Sequence, residues 1–115
     1  GGMISTAMDY AVFCQMYLNG GIYGGKRILK KETIKLMTTP HTTSLYSSAE
    51  KWEQKHFYGY GWRVYPEGVF AHSGSDGTAA WVDPNNQLIV LAFTQSPAGN
   101  KLSDRFFKLV QLSIE

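Results

Sequence analysis

The stretch His72-Ser73-Gly74-Ser75-Asp76-Gly77-Thr78 decides how this chain is read. It is polar and broken by two glycines, yet it lies between segments rich in strand-forming residues. Gly68-Val69-Phe70-Ala71 before it reads as one strand, and Ala79-Ala80-Trp81-Val82-Asp83 after it as the next. The turn Asp83-Pro84-Asn85-Asn86 then leads into the strongly apolar Leu88-Ile89-Val90-Leu91-Ala92-Phe93. Packing alone would have continued the first strand. A strand that ends in such a segment can offer unpaired backbone amides and short polar side chains to a ligand.

Outward from that point, strands are expected at about 58–65, 68–73, 77–83 and 87–95, with Pro66-Glu67-Gly68 as a further turn. Toward the N-terminus, Thr6 can cap a helix whose Tyr10, Phe13, Cys14, Tyr17 and Leu18 recur at helical spacing and form a core stripe, ending at Asn19-Gly20-Gly21. A shorter helix is expected from Lys31 to Met37, with Ile34 and Met37 inward and Pro40 barring extension. Residues 39–57 read as a long polar connector anchored by Trp52 and Phe57, a length usual for lids or mobile segments. Ser103 is placed to cap a last helix that packs Phe106, Phe107, Leu109, Val110 and Ile114 on the sheet. The fold class expected is α+β: one domain over residues 1–115, an antiparallel meander of about four strands with helices packed on it.

Composition narrows the function classes. A chain of 115 residues with 43% hydrophobic and 14% aromatic content suits a single domain. The formal net charge of +2 is scattered, and the pairs Lys26-Arg27 and Lys30-Lys31 read as a solvated rim, so no nucleic-acid surface is implied. No apolar run approaches the ~20 residues of a membrane span, and residues 1–18 lack the basic start of a signal peptide. Cys14 is the single cysteine, which rules out an internal disulfide and suits a small buried side chain. His41 and His56 have no cysteine or carboxylate at metal-ligand spacing and read as surface residues; neither a metal nor another cofactor is expected.

Five ordered segments resemble the serine β-lactamase and penicillin-binding protein superfamily, in its class C-like branch of esterases and D-aminopeptidases. They are Gly1-Gly2-Met3-Ile4-Ser5-Thr6-Ala7-Met8-Asp9-Tyr10-Ala11-Val12-Phe13; Asn19-Gly20-Gly21 followed by Ile28-Leu29-Lys30-Lys31-Glu32-Thr33; Tyr58-Gly59-Tyr60-Gly61-Trp62; His72-Ser73-Gly74; and Trp81-Val82-Asp83-Pro84 with its apolar strand. In that family the strand matching residues 72–74 carries Lys-Thr-Gly or His-x-Gly. The resemblance implies the C-terminal portion of a serine hydrolase acting on ester, amide or lactam carbonyls through an acyl-enzyme. The Ser-x-x-Lys and Tyr-x-Asn or Tyr-x-Ser motifs that the family uses would then lie before residue 1.

Residue roles follow from the resemblance. The main-chain N–H of Ser75 would be one of two oxyanion-hole donors, worth ~3 kcal/mol in the transition state. Gly74 would admit substrate close to the backbone, or else mark a bulge. Ser73 would bond a substrate carbonyl or carboxylate, or else satisfy a neighbouring strand. Asp76, Gly77 and Thr78 complete the substrate-binding set. His72 stands where the family's β-lactamases carry a lysine, and an imidazole of pKa ~6.5 is mostly neutral at pH 7. That weakens recognition of anionic substrates and favours ester or amide chemistry, while a purely structural histidine stays open.

Two local patterns are decoys: Ser48-Ala49-Glu50-Lys51 fits Ser-x-x-Lys and Tyr17-Leu18-Asn19 fits Tyr-x-Asn, but such patterns arise freely by chance. Ser48 lies in a polar run with no apolar helix to bury the lysine, and Tyr17 and Asn19 fall at a helix end. The alternatives carried forward are a non-catalytic binding member of the same fold, an unrelated α+β interaction domain, and a helix-covered sheet enclosing an apolar ligand. The partners expected are a small-molecule or peptide acyl substrate and either a second copy of the chain or a missing N-terminal half. The resemblance implies a bacterial periplasmic or exported setting, with the cytoplasm open.

Overall fold

The computed structural model describes residues 2–97 and 100–114, except for the side chains at 49, 52, 53, 100 and 101. Trp52, expected as a loop anchor, therefore has its side chain outside the described set. Helix α1 spans Ala7–Leu18, β1 Ile22–Tyr23, β2 Lys26–Arg27 and α2 Lys31–Met37. A 3-10 turn at Thr43–Leu45 and α3 at Ser48–Glu53 follow, then β3 Phe57–Tyr58, β4 Arg63–Val64, β5 Phe70–Ser73, β6 Thr78–Asp83, β7 Leu88–Phe93 and α4 Asn100–Ser113. The last five strands form one antiparallel sheet in the order β3-β4-β5-β6-β7, with β1 and β2 as a separate hairpin. The α+β class and the meander are as the sequence indicates.

The local signals act as their chemistry requires. Thr6 Oγ1 accepts the Asp9 backbone N–H at 3.1 Å, satisfying one orphan donor of α1. At the β6–β7 turn Asp83 is buried but fully bonded, accepting from the Asn85 and Asn86 backbone N–H groups and from Asn86 Nδ2. Its carboxylate holds the turn the sequence marks. Helix α2 buries Ile34 and rests Met37 against the core.

Three expectations change. The segment 58–65 is not one strand but a tight hairpin, in which Phe57 pairs with Val64 and Tyr58 with Arg63. The turn closes through the Gly59 N–H bonded to the Trp62 carbonyl at 2.9 Å, which gives five strands in place of four. Ser103 does not cap α4, because the helix begins at Asn100 and carries Ser103 inside it, buried. Phe106, Leu109 and Ile114 are exposed, and the helix seats Phe107 and Val110 on the sheet. The 39–57 connector is also more ordered than its composition suggests. Ser47 and Glu50 form a reciprocal capping box on α3, and the Tyr58 N–H donates to Thr42 Oγ1 at 2.9 Å.

Alternation along the strands splits the core into two layers. Phe70, Val64 and Val82 face α1 and α2, packing with Cys14, Tyr17, Ile34 and Trp62. Ala71, Ala79, Trp81 and Val90 face α4. Within α1 the buried set is Cys14, Met16 and Tyr17, whereas Phe13 stays 41% exposed. Burial pushes the Cys14 thiol up to about 11, so it packs as a hydrophobe and not as a nucleophile. No helix among the described residues is long and apolar enough to cross a membrane.

Candidate active site

Strands β5 and β6 pair from Phe70↔Val82 to Ser73↔Ala79, which places the polar stretch 72–78 at their shared end. The connecting turn is internally bonded: the Gly74 N–H donates to the Thr78 carbonyl at 2.8 Å and the Gly77 N–H to the Gly74 carbonyl at 3.3 Å. Segment 94–96 straps it from outside, with the Ser96 N–H donating to the Asp76 carbonyl and Thr94 Oγ1 to the Gly77 carbonyl. Two turn amides, those of Ser75 and Asp76, are left over. The N–H of Ser75 has no hydrogen-bond partner among the described residues, and Ser75 is exposed.

A cavity of about 460 Å³ opens beside this strand end. His72, Ser73, Gly74 and Thr78 form its polar wall, Tyr10, Ala80 and Phe93 its apolar one, and Met3, Ile4 and Ser5 its rim. A Cβ on Gly74 would lie 2.5 Å from Thr78 Oγ1, so a side chain there would displace the Thr78 hydroxyl. Of the residues singled out from the sequence, His72, Ser73, Gly74 and Thr78 meet around the cavity. Ser75 and Asp76 sit in the exposed turn outside its lining, and Gly77 is buried at φ +93° as part of the turn itself.

The imidazole of His72 is exposed, with Nδ1 3.0 Å from the Ser73 carbonyl oxygen. A carbonyl can only accept, so Nδ1 carries a proton and donates it to Ser73. Tyr10 and Phe93 meet edge to face at 5.8 Å, and burial, reinforced by Cys14 and Tyr17, raises the Tyr10 phenol, which stays a donor and not a base. No sequence motif marks either residue as part of a site. Tyr10 belongs to the apolar stripe of α1 and Phe93 to the apolar strand β7, and only packing brings them to the cavity.

No motif marks Arg63 either. Its Nε donates to Tyr58 Oη and its Nη1 to Ser73 Oγ, each at 3.0 Å. His56, read as a surface residue, is half-buried against Tyr58 and Tyr65. Burial first, then the charges of Arg63 and His72, lower its pKa. His41 is exposed as expected, stacked on Tyr60 at 4.4 Å.

The decoys stay decoys. Ser48 and Lys51 are both exposed on α3. Tyr17 is buried beside Trp62 and Phe70, and Asn19 caps the C-terminus of α1. Among the described residues no group of three or more His, Cys, Asp or Glu could hold a metal ion.

The profile of the Beta-lactamase family matches residues 1–112 of this chain. The chain belongs to the beta-lactamase family. A protein of Escherichia coli strain K12 assigned as a D-alanyl-D-alanine carboxypeptidase is 30% identical over 109 residues, an alignment covering 84% of this chain and 23% of that protein. An N-acetylmuramyl-L-alanine amidase of Bacillus subtilis strain 168 is 29% identical over 96 residues, covering 81% and 22%. Among solved structures, a Bacillus anthracis protein assigned as a 6-aminohexanoate-dimer hydrolase superposes with a TM-score of 0.72 at 23% identity, over 96% of this chain and 28% of that one. A Bacteroides dorei protein assigned as a beta-lactamase gives 0.64 at 21%, over 94% and 40%. These two likenesses speak for the fold. This beta-lactamase-family chain spans about a quarter of the length of the curated relatives it matches.

Proposed function

We propose that this chain is the substrate-side part of a serine hydrolase that opens ester, amide or lactam carbonyls through an acyl-enzyme. The observation that carries the reading is the unpartnered Ser75 N–H, in the exposed turn two residues beyond β5 and next in sequence to Gly74, which with His72, Ser73 and Thr78 forms the polar wall of the cavity. An amide pre-oriented by a strapped turn costs little to aim at a developing oxyanion and contributes ~3 kcal/mol to its stabilisation. Ser73 and Thr78 bind the acyl substrate, and His72, whose Nδ1 donates to the Ser73 carbonyl, presents Nε2 to accept or relay a proton. Asp76 and Gly77 shape the turn that presents the amide. The relatives' names, a carboxypeptidase and an amidase, support carbonyl hydrolysis as the reaction class.

The nucleophile in this reading comes from sequence preceding residue 1, because Ser48 and Lys51 stand exposed on α3. The protein encoded by the full reading frame should therefore hydrolyse p-nitrophenyl acetate or nitrocefin and form an acyl adduct seen by intact mass, whereas the 115-residue chain should remain at buffer background. Turnover by the short chain with an adduct on Ser48 would overturn this division of labour. No adduct and no turnover in the full protein would favour a binding member of the fold. The outer edge of β7 pairs with no strand among the described residues, and in the isolated chain it joins a second copy.

A further inference from the structure

Tyr58 and Arg63 are register partners across β3 and β4, and Arg63 and Ala71 across β4 and β5. Ser73 lies two residues beyond Ala71 and so on the same face of β5. That row places one guanidinium between two hydroxyls, with Nε on Tyr58 Oη and Nη1 on Ser73 Oγ, both at 3.0 Å. All three side chains are half-buried. A guanidinium has donors only, so each hydroxyl oxygen must accept, and the single proton of Ser73 is left to donate elsewhere. Among the described residues that proton makes no hydrogen bond. Ser73 lines both the 460 Å³ cavity and an adjoining one of about 210 Å³ shared with Arg63 and His72.

We propose that Arg63 is a positioning residue that holds the Ser73 hydroxyl as a hydrogen-bond donor toward an oxygen acceptor on the substrate, which rests on reading β5 as the substrate-side strand. An unclamped serine hydroxyl rotates among staggered positions and can donate or accept. Clamped by Arg63, it selects substrates that present a carbonyl or carboxylate oxygen at that point and rejects those that present an N–H. The planar fork reaches both hydroxyls at once, which a single ammonium cannot do with the same geometry.

The test has two arms. In the protein encoded by the full reading frame, with p-nitrophenyl acetate, Arg63→Met should raise KM about tenfold and leave kcat within about twofold, the size of one lost oriented hydrogen bond. Ser73→Ala should match it, the double variant should be no worse than either single one, and Arg63→Lys should recover part of the loss. In the 115-residue chain, the Arg63 Nε–Hε resonance should be protected from exchange and should shift in both Ser73→Ala and Tyr58→Phe. A raised KM in Ser73→Ala with an unchanged KM in Arg63→Met overturns the inference and leaves the strand reading standing. An unchanged KM in both overturns the strand reading and the inference with it. Should Arg63→Met lose its dispersed spectrum, Tyr58→Phe keeps one arm of the fork and should raise KM about two- to threefold; no change would again overturn the proposal.

Discussion

Thr94 Oγ1 donates to the Gly77 carbonyl at 2.7 Å, and a Cβ on Gly77 would overlap that same oxygen. The turn carrying the Ser75 amide is thus pressed against the end of β7 as closely as a backbone without a side chain allows. Rigidity there matters to the role proposed for that amide, because an oxyanion donor contributes only when it is already aimed.

Gly77→Ala should destabilise the chain by about 2–4 kcal/mol, from a side chain at φ +93° and a further clash with the Ser96 carbonyl at 2.6 Å. Thr94→Val, which removes one hydrogen bond, should cost about 1 kcal/mol. Urea melts of the two variants decide the matter, and equal costs would show that the close approach is not tight.

Phe107 stacks on Trp81 with centroids 4.8 Å apart and planes 6° from parallel, the principal aromatic contact of α4 with the sheet. Phe107→Ala should cost about 3–5 kcal/mol at most and less if α4 settles into the gap, with a red shift of tryptophan emission as Trp81 meets water. Phe106→Ala, at an exposed position, should stay within about 0.5 kcal/mol. A reversed order of the two would show that the helix seats its other face.

His56 gives the fold a pH dependence of known sign. Its folded pKa lies below the unfolded value of ~6.5, so as pH falls below that value the unfolded chain takes up the proton first and stability declines until the folded pKa is passed. Above about pH 7 both states are neutral and the full stability is present. The wild-type Tm should therefore drop more between pH 7.5 and 5.5 than that of His56→Gln, and identical drops would remove His56 as the source.

Strand β7 pairs with β6 from Thr78↔Phe93 to Asp83↔Leu88, and residues 88–93 hold neither proline nor charge to blunt the other edge. The 115-residue chain should exceed 12.9 kDa in light scattering coupled to size exclusion at tens of micromolar, as a dimer joined through residues 87–95. A clean monomer with slow amide exchange along that edge would sink the expectation.

Residue order by itself determined the features that near neighbours impose. Thr6 caps α1 because Asp9 is three residues away, Asp83 builds its turn from Asn85 and Asn86, and alternation along β6 splits Val82 from Trp81. His72, Ser73, Gly74 and Thr78 line one cavity because they are near neighbours along the end of β5, its turn and the start of β6. Other features needed the assembled sheet. Gly59 and Gly61 fold the expected strand 58–65 into a hairpin, and that fold alone sets Arg63 between Tyr58 and Ser73. Which aromatic residues of α1 and α4 turn inward depends on what faces them: Tyr17 meets Trp62 and Phe70, while Phe13 and Phe106 stay partly in water. Helical spacing says that a side is apolar but not which part of it finds a partner, because that partner lies far along the chain and is brought near only by strand pairing.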